Sequence, residues 1–524
     1  MLPKKSHFII YYWGLILLAV SLPLFTKLIV VSAVQIGLAV NWLLEGNFRR
    51  KFQIIKERKS ILIIISIYLI HILGLIYTKD YQLGLSDVRI KLPLLVLPVV
   101  IGTSTALDFK QIKILLLFFV SSVIVSTLIS SAILFGFTKI SISDAREISI
   151  FISHIRFALL ICVAIFSLAY FLFSAEMEKT PFEKISYAIS LCWLLIFLYL
   201  LQSFTGIAIF IITSFVFLWH WIRKLDNLVL RFFLITFFII IPLLFLLYLT
   251  KSISKFYSVE DIDIKSIEKY TKKENPYWHD FENKQIENGN YIWLYISEEE
   301  LCEEWNKLSD YDYYGKDDRG QEIKYTLIRY LTSKGYRKDA VGIAKLKQED
   351  IKLIESGIAN YIFKNNIGLY PKIYQLIWQI DVYLKGGNPS GHSITQRIIY
   401  LKTAFQIIKE NFWIGTGTGD LQFEFDRHYE KTNSILSEKW RLRAHNQFVT
   451  FFIAFGFFGF LWIMFSLVYP VFYEKKNKDF LFLMFFVIAL LSMLNEDTLE
   501  THAGVTFFSF FYALLLLGRD KRWF

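Results

Sequence analysis

Residues 441–473 read RLRAHNQFVTFFIAFGFFGFLWIMFSLVYPVFY, in which two arginines and a histidine stand immediately before a long apolar run. Other apolar runs near the ~20 residues that span a bilayer recur along the chain. We predict twelve membrane segments, at 8–25, 28–44, 61–77, 92–106, 114–136, 151–173, 186–202, 205–222, 232–250, 447–473, 480–494 and 503–517. The chain therefore indicates an all-α polytopic membrane protein with one large polar insert between the ninth and tenth segments.

The basic residues of the short loops predict the orientation of these segments. With the N-terminus inside, the cytoplasmic loops and ends hold 21 Lys and Arg residues and the opposite short loops hold six. Both termini should then be cytoplasmic and the insert periplasmic, which divides the chain into a membrane domain at 1–250, a cap domain at 251–446 and a second membrane part at 447–524. The insert carries as many basic as acidic residues, so the net charge of +11 reflects membrane topology. No nucleic acid partner is expected.

Helical patterns in the insert lie near 322–334, 348–364, 371–385 and 393–411, and Ser297-Glu298-Glu299-Glu300 resembles a capping box that opens another helix. In the 393–411 helix, Ile398, Leu401, Phe405 and Ile408 repeat on one face, and that face is predicted to be buried. A turn, Gly415-Thr416-Gly417-Thr418-Gly419-Asp420, precedes a charged helix that should run to about Trp440. No clear strand precedes this turn, so a dinucleotide-binding loop is not expected.

Basic and polar side chains stand where the insert re-enters the membrane. Histidine is a residue type that can accept a proton from a hydroxyl group near neutral pH, so His445 is predicted to have this role. The alternative is a structural role, with Asn446 as a helix N-cap. Arg441 and Arg443 precede this pair, and Arg397 on the insert helix suits a pyrophosphate, although an exposed arginine paired to a carboxylate is the simpler interpretation.

Two further groups complete the candidate site. Arg156 lies inside the outer end of the sixth segment, where an ionisable residue is a functional candidate unless it snorkels to the interface. The outer loop with Glu496 and Asp497 could orient His445 or pair with the arginines. The D-x-D patterns at 261–263 and 310–312 are common in acidic segments, and no histidine pair has metal-ligand spacing. We predict neither a metal nor another cofactor.

Four stretches resemble the O-antigen ligase and polymerase family (Wzy/WaaL-like membrane proteins) in its Bacteroidetes-type version. They are Gly391–Arg397 leading into Asn411–Asp420, Ala444–Phe448 leading into Phe455–Phe460, Ile152–Phe157, and Asn495–Thr501. The resemblance implies a GT-C-like helical fold in the bacterial inner membrane and metal-independent transfer of a glycan from undecaprenyl pyrophosphate. In ligases, the acceptor is a sugar hydroxyl of the lipid A-core. The family's essential His corresponds to His445 and its loop Arg to Arg397.

One family residue is missing from this chain. The family usually has a further Arg after Ser at the outer start of the eighth segment, where this chain has Ser203-Phe204. Arg156, Arg441 or Arg443 are the available replacements. Together with Asn446, Glu496 and Asp497, these arginines are predicted to bind the pyrophosphate or the glycan.

Other functions share part of this pattern. A polymerase that extends a lipid-linked glycan uses the same donor, and a protein O-oligosaccharyltransferase differs only in its acceptor. A transporter would favour inverted repeats and membrane helices broken by Gly or Pro at the midplane, and neither is apparent in the sequence.

Overall fold

The computed structural model describes residues 3–24, 28–138, 140, 145–174, 178–223, 225–259, 267–364 and 369–519. Contacts divide the chain into two compact units, one of residues 1–227, 399–434 and 441–524, and the other of residues 228–398 and 435–440. The predicted Asp261–Asp263 pattern lies outside the described residues.

Within the described residues, the named elements of the first unit are all helices, and this unit holds most of the apolar segments. Its helices are α1 (Lys4–Leu24), α2 (Leu28–Leu44), α3 (Phe48–Glu57), α4 (Lys59–Leu73), α5 (Tyr81–Ile90), α6 (Pro93–Thr103), α7 (Phe109–Leu134), α8 (His154–Phe173), α9 (Pro181–Leu200), α10 (Phe204–Ile222), α18 (Leu421–Lys431), α19 (Gln447–Tyr473), α20 (Phe480–Asn495) and α21 (His502–Leu516). Polar caps fix several of these starts. Asp108 opens α7 and Thr180 opens α9, each through a capping box, and Pro181 adds a preset backbone angle at the first position of α9.

The second unit contains the ninth apolar segment and most of the polar insert. Its helices are α11 (Leu228–Tyr257), α12 (Glu298–Leu308), α13 (Ile323–Ser333), α14 (Ala340–Ala344), α15 (Gln348–Glu355) and α16 (Leu369–Leu384), with the first six residues of α17 (Ser393–Glu410). A short antiparallel pair, β1 (Ile286–Glu287) and β2 (Asn290–Tyr291), interrupts the helices. Trp305, Tyr313 and Tyr330 are fully buried in its main apolar core, so this unit packs a core of its own.

Each of the twelve predicted membrane segments contains a helix. Within the described residues, seven helices are long and apolar enough to cross a bilayer, or eight if the bent pair Ile29–Leu44 and Phe48–Glu57 forms one span. Three shorter apolar helices, Phe204–Trp219, Phe480–Asn495 and His502–Leu516, and the 11-residue α6 cover the other segments. An all-α polytopic membrane protein is therefore confirmed. The number of twelve spans, the GT-C-like arrangement and the periplasmic position of the insert stay predictions.

Helices at 322–334, 371–385 and 393–411 are confirmed, whereas the segment 348–364 is helical only at its two ends. A turn at Gly357, with φ of 77°, separates α15 from a 3-10 turn at Tyr361–Lys364. The predicted capping box at Ser297 is wrong. The predicted helix does begin there, as α12, but Ser297 makes no side-chain cap. The Glu300 carboxylate accepts from the Asn275 amide and the Ala340 N–H, both at 2.9 Å, instead of the Ser297 N–H.

Two predictions near the membrane re-entry are also wrong. The charged helix ends at Lys431 and not at Trp440, because Asn433 adopts a left-handed conformation with φ of 46° and turns the chain. The predicted face of α17 is not the buried one, since Phe405 is 58% exposed and Tyr400, Ala404 and Ile407 are buried instead. Both faces have helical spacing, so periodicity alone does not choose between them.

The glycine-rich turn packs against a break in α19. Gly456 has φ of 60° and ψ of −166°, so this membrane helix is interrupted by glycine, contrary to expectation. The break frees the carbonyls of Ile453 and Ala454, which accept from the N–H groups of Thr416 and Gly417 at 2.8 and 2.9 Å. A freed backbone group in a membrane helix needs such a partner. The turn therefore has a structural role in the first unit.

Replacement of Gly456 by alanine should destabilise the protein by about 2 kcal/mol or more. Its left-handed backbone disfavours any L side chain, and a Cβ there would lie 2.4 Å from the Ile414 nitrogen. Thermal unfolding of the full chain in detergent measures the effect. Gly37→Ala is the matched control, because a Cβ on this residue of α2 meets nothing within 4 Å and should give a small gain. Equal unfolding temperatures for the two variants would contradict the argument.

The insert contains a buried lysine, Lys338, which lowers the stability of the folded protein by an amount that depends on pH. Lys338 is 3% exposed, and burial, with repulsion from Arg337, lowers its pKa to about 7. In the unfolded chain this lysine stays protonated up to about pH 10.4. Between pH 7 and that value, the unfolded state therefore binds more protons than the folded state. The free energy of unfolding should therefore rise with pH across this window. Below pH 7 the buried lysine is charged in the folded state too, and its destabilising effect is then largest.

Lys338→Met should remove that cost and stabilise the protein at pH 7 by about 1–3 kcal/mol. Its unfolding temperature should also depend less on pH between 7 and 10. The measurement is thermal unfolding of the full chain, with Lys307→Met as the control because that side chain is 54% exposed. A lower unfolding temperature for Lys338→Met at pH 7 is the opposing result.

Candidate functional site

His445 lies in a strained loop directly before α19. Its φ of 49° is left-handed, which is uncommon for a residue other than glycine and often accompanies functional sites. The loop is fixed on one side by the Tyr429 hydroxyl, which donates to the Leu442 carbonyl at 2.6 Å. The His445 ring centre lies 5.8 Å from that of Tyr400, and its side chain stays 34% exposed. The ring is thus held and still accessible.

Asn446 is the N-cap of α19, as the structural alternative predicts. Its Oδ1 accepts from the N–H groups of Phe448 and Val449 at 3.0 and 3.1 Å. Its amide nitrogen also donates to the Leu494 carbonyl at 2.9 Å, near the end of α20. The cap therefore fixes the position of the neighbouring His445 relative to α20.

The acidic turn after α20 lies beside this loop. Glu496 Oε2 is 3.9 Å from His445 Nδ1, an ion-pair distance when the ring is protonated. Asp497 accepts from the Thr450 hydroxyl at 2.8 Å on α19. Burial and the neighbouring Glu500 raise the pKa of Asp497, while Arg443 opposes the shift. The structure thus brings together His445, Asn446, Glu496 and Asp497, four of the residues singled out in the sequence.

A buried charge network supports the acidic turn, and the sequence interpretation missed most of it. Lys91 is 1% exposed and donates to Asp87 at 2.5 Å and to Glu500 at 3.0 Å. Arg443 lies 3.6 Å from Glu500, and the Gln447 amide donates to that carboxylate at 2.9 Å. The i,i+4 spacing of Asp87 and Lys91 is the signal of this ion pair that the sequence contains.

The carboxyl groups of Glu500 and Asp87 in this network have pKa values shifted in opposite directions. Burial alone would raise the pKa of Glu500, but the positive charges of Lys91 and Arg443 lower it to about 2. Burial raises the pKa of Asp87 despite its contact with Lys91. The Glu500 carboxylate is therefore ionised at neutral pH and holds Arg443 and Gln447 beside the His445 loop.

Arg156 lies in the first turn of α8 and lines a small cleft. Thr498 and Gly504 also line this cleft, so Arg156 lies close to the acidic turn. Phe204, which stands where the family usually has its further arginine, is 57% exposed at the start of α10. The neighbouring Thr205 hydroxyl accepts from the Asn495 amide at 2.5 Å.

The starts of α8 and α10 are adjacent. A Cβ on Gly206 would lie 2.3 Å from that of Ala158, so the two helices are in direct contact two residues beyond Phe204 and Arg156. The structure therefore places the first turn of α8, which carries Arg156, next to the first turn of α10, where the family arginine is absent.

Arg397 and Arg441 belong to different units. Arg397 is half-buried in the second turn of α17, within the second unit, and Arg441 is half-buried in the first. The proximity of Arg397 to His445 stays a prediction.

The described residues contain no group of three or more His, Cys, Asp or Glu side chains able to hold a metal ion. In the D-x-D pattern at 310–312, the Asp312 carboxylate accepts from the Tyr314 N–H at 2.8 Å, which is a local turn contact.

No curated protein matches the chain. Residues 367–464 match the family model described as O-antigen ligase (Wzy_C). This range contains Arg397, the glycine-rich turn, Arg441, Arg443, His445 and Asn446, and it ends within α19. Within residues 367–464, the match supports membership of the O-antigen ligase and polymerase family.

Proposed function

We propose that this protein is an O-antigen ligase-like glycosyltransferase. It moves a glycan from undecaprenyl pyrophosphate to a sugar hydroxyl of the lipid A-core, at the periplasmic face of the bacterial inner membrane. The observation that carries the proposal is the accessible His445 ring, held in a left-handed loop between the α19 cap and the acidic turn, inside the family-matched range.

His445 acts as the base for the acceptor hydroxyl. The hydroxyl oxygen attacks the anomeric carbon of the donor sugar, and its proton passes to the His445 ring as the bond to the pyrophosphate breaks. Glu496, 3.9 Å from Nδ1, stabilises the resulting imidazolium. Such a base contributes about 10²–10⁴-fold. Asn446 and Asp497 position the loop and the acidic turn.

The pyrophosphate leaves as an anion, so cationic side chains favour the transition state over the bound donor. Arg397 holds this group in the proposal, and Arg156 substitutes for the arginine absent at Phe204. Arg441 and Arg443 add positive charge at the re-entry loop. These arginines supply the charge stabilisation without a metal ion or cofactor. The lipid tail stays among the membrane lipids.

Surface lipopolysaccharide from a deletion strain, separated on a gel, tests the function. A ligase predicts bare lipid A-core with long glycan accumulating on undecaprenyl pyrophosphate, and restoration by the wild-type chain. Core that carries a single repeat unit would identify a polymerase. An unchanged pattern would reject both and direct attention to glycoproteins or transport.

A further inference from the structure

A short basic helix, α3, follows the second apolar segment at nearly a right angle. The apolar helix α2 is 17 residues long, and α3 is bent away from it by 109°. Gly46 and Asn47 form the turn between the two helices, with left-handed φ values of 65° and 59°. When α2 crosses a bilayer, a bend close to a right angle lays α3 along the membrane surface.

The composition of α3 favours the membrane surface over the hydrocarbon interior. Four of its ten residues are cationic, namely Arg49, Arg50, Lys51 and Lys56. A charged side chain is costly at the centre of a bilayer, and four within ten residues exclude α3 from that region. The helix is therefore not a continuation of the span that α2 forms.

Two ion pairs fix α3 in this orientation. Lys51 is 4% exposed, donates to the Trp42 carbonyl at 2.6 Å and lies 2.8 Å from a Glu45 oxygen. Arg58, directly after α3, lies 2.9 Å from a Glu474 oxygen. These two cations are thus neutralised by carboxylates of the chain, and their contacts hold both halves of the helix.

The other three cations of α3 are exposed beside aromatic rings. Arg49, Arg50 and Lys56 form no ion pair with any residue that the structure describes. Phe48 and Phe52 are 52% and 60% exposed, and Lys56 Nζ lies 4.9 Å from the centre of the Phe52 ring. Exposed aromatic rings together with unpaired cations are typical of helices that lie in a membrane interface.

The order of residues around α3 suits such an interface. At 100° per residue, its apolar residues share one face, which consists of Phe48, Phe52, Ile54 and Ile55. Arg49 and Lys56 border one edge of that face, and Arg50 borders the other. When the apolar face is turned towards the acyl chains, the cations at both edges lie at the level of the lipid headgroups.

We propose that α3 binds the headgroups of anionic phospholipids through Arg49, Arg50 and Lys56. A guanidinium group binds a phosphate through paired N–H donors. Glu57 is the one acidic residue of α3, so the exposed side of the helix has a net positive charge that complements an anionic lipid. The helix belongs to the predicted cytoplasmic side, where the leaflet has a negative surface potential.

The test measures lipid binding by the delipidated full-length protein in detergent, with phosphatidylglycerol as the probe and native mass spectrometry as the readout. Combined Arg49→Gln and Arg50→Gln should raise the apparent Kd at least about tenfold. Combined Lys272→Gln and Lys352→Gln is the matched control, because it removes the same charge from exposed positions of the insert and should leave the Kd unchanged. Phosphatidylcholine should bind the wild type more weakly than phosphatidylglycerol does.

Two further measurements separate lipid binding from a structural role. Because both arginines are exposed and form no ion pair, the double glutamine variant should unfold at the wild-type temperature in the absence of lipid. Arg49→Lys combined with Arg50→Lys keeps the charge and should bind phosphatidylglycerol nearly as the wild type does.

Three results would overturn the proposal. The first is an equal Kd for phosphatidylglycerol in the wild type and the double glutamine variant, and the second is an equal Kd for phosphatidylglycerol and phosphatidylcholine. The third is displacement of phosphatidylglycerol by inorganic phosphate at the same concentration, which would identify a site for free phosphate. The assay contains no glycan donor or acceptor, so its result is independent of the proposed transfer.

Discussion

His445→Ala should lower glycan transfer by about 10²–10⁴-fold, the usual contribution of a positioned base. The acceptor hydroxyl is a poor nucleophile until it loses its proton, and the accessible His445 ring is the proposed acceptor of that proton. The assay uses purified protein, lipid-linked glycan and lipid A-core, with product separated on a gel. In cells, the same variant should fail to restore the lipopolysaccharide of the deletion strain.

Two further variants make this result specific. His445→Gln keeps a hydrogen-bonding side chain of similar reach but supplies no base, so it should be nearly as inactive as alanine. His279→Ala is the matched control, because that ring accepts from the Tyr295 N–H and donates to the Glu268 carbonyl, both within the insert. The three proteins should unfold at similar temperatures. Full activity of His445→Ala would remove His445 from the chemistry.

The sequence was most informative where a single local pattern decides the structure. Apolar runs predicted every helix of the twelve segments, since a helix is the structure that satisfies the backbone inside a bilayer. Asn446 caps α19, which is the structural alternative that its residue type and position suggest. Both inferences need only neighbouring residues.

Features that depend on distant residues were not predicted. The break at Gly456 becomes favourable only because the glycine-rich turn supplies N–H donors to Ile453 and Ala454. Glu300 lost its expected capping role to Asn275 and Ala340. Lys91 and Glu500 are separated by more than 400 residues along the chain, so no local pattern could pair them.

The ion pair between Lys91 and Glu500 is the basis of the second prediction, which concerns stability. Lys91→Met should destabilise the protein by about 3–5 kcal/mol, because it leaves a buried carboxylate without its partner. Glu500 is 9% exposed and has an ionised group that would lose its closest cation, while Asp87 would lose its ion pair. Thermal unfolding of the full chain in detergent gives the measurement. Lys79→Met is the control, because that side chain is 72% exposed and its contact with Glu424 is 4.0 Å long; an exposed pair contributes about 0–1 kcal/mol.

A double-mutant cycle separates the ion pair from the loss of a lysine. Glu500→Gln removes the charge but keeps the shape, so Lys91→Met combined with Glu500→Gln should cost less than the two single changes added together. Transfer activity should fall in Lys91→Met even at temperatures where the variant stays folded, because Glu500 then holds Arg443 and Gln447 less firmly beside His445. Strictly additive energies would mean that Lys91 stabilises the fold independently of Glu500, and the acidic turn would then need another explanation for its fixed position.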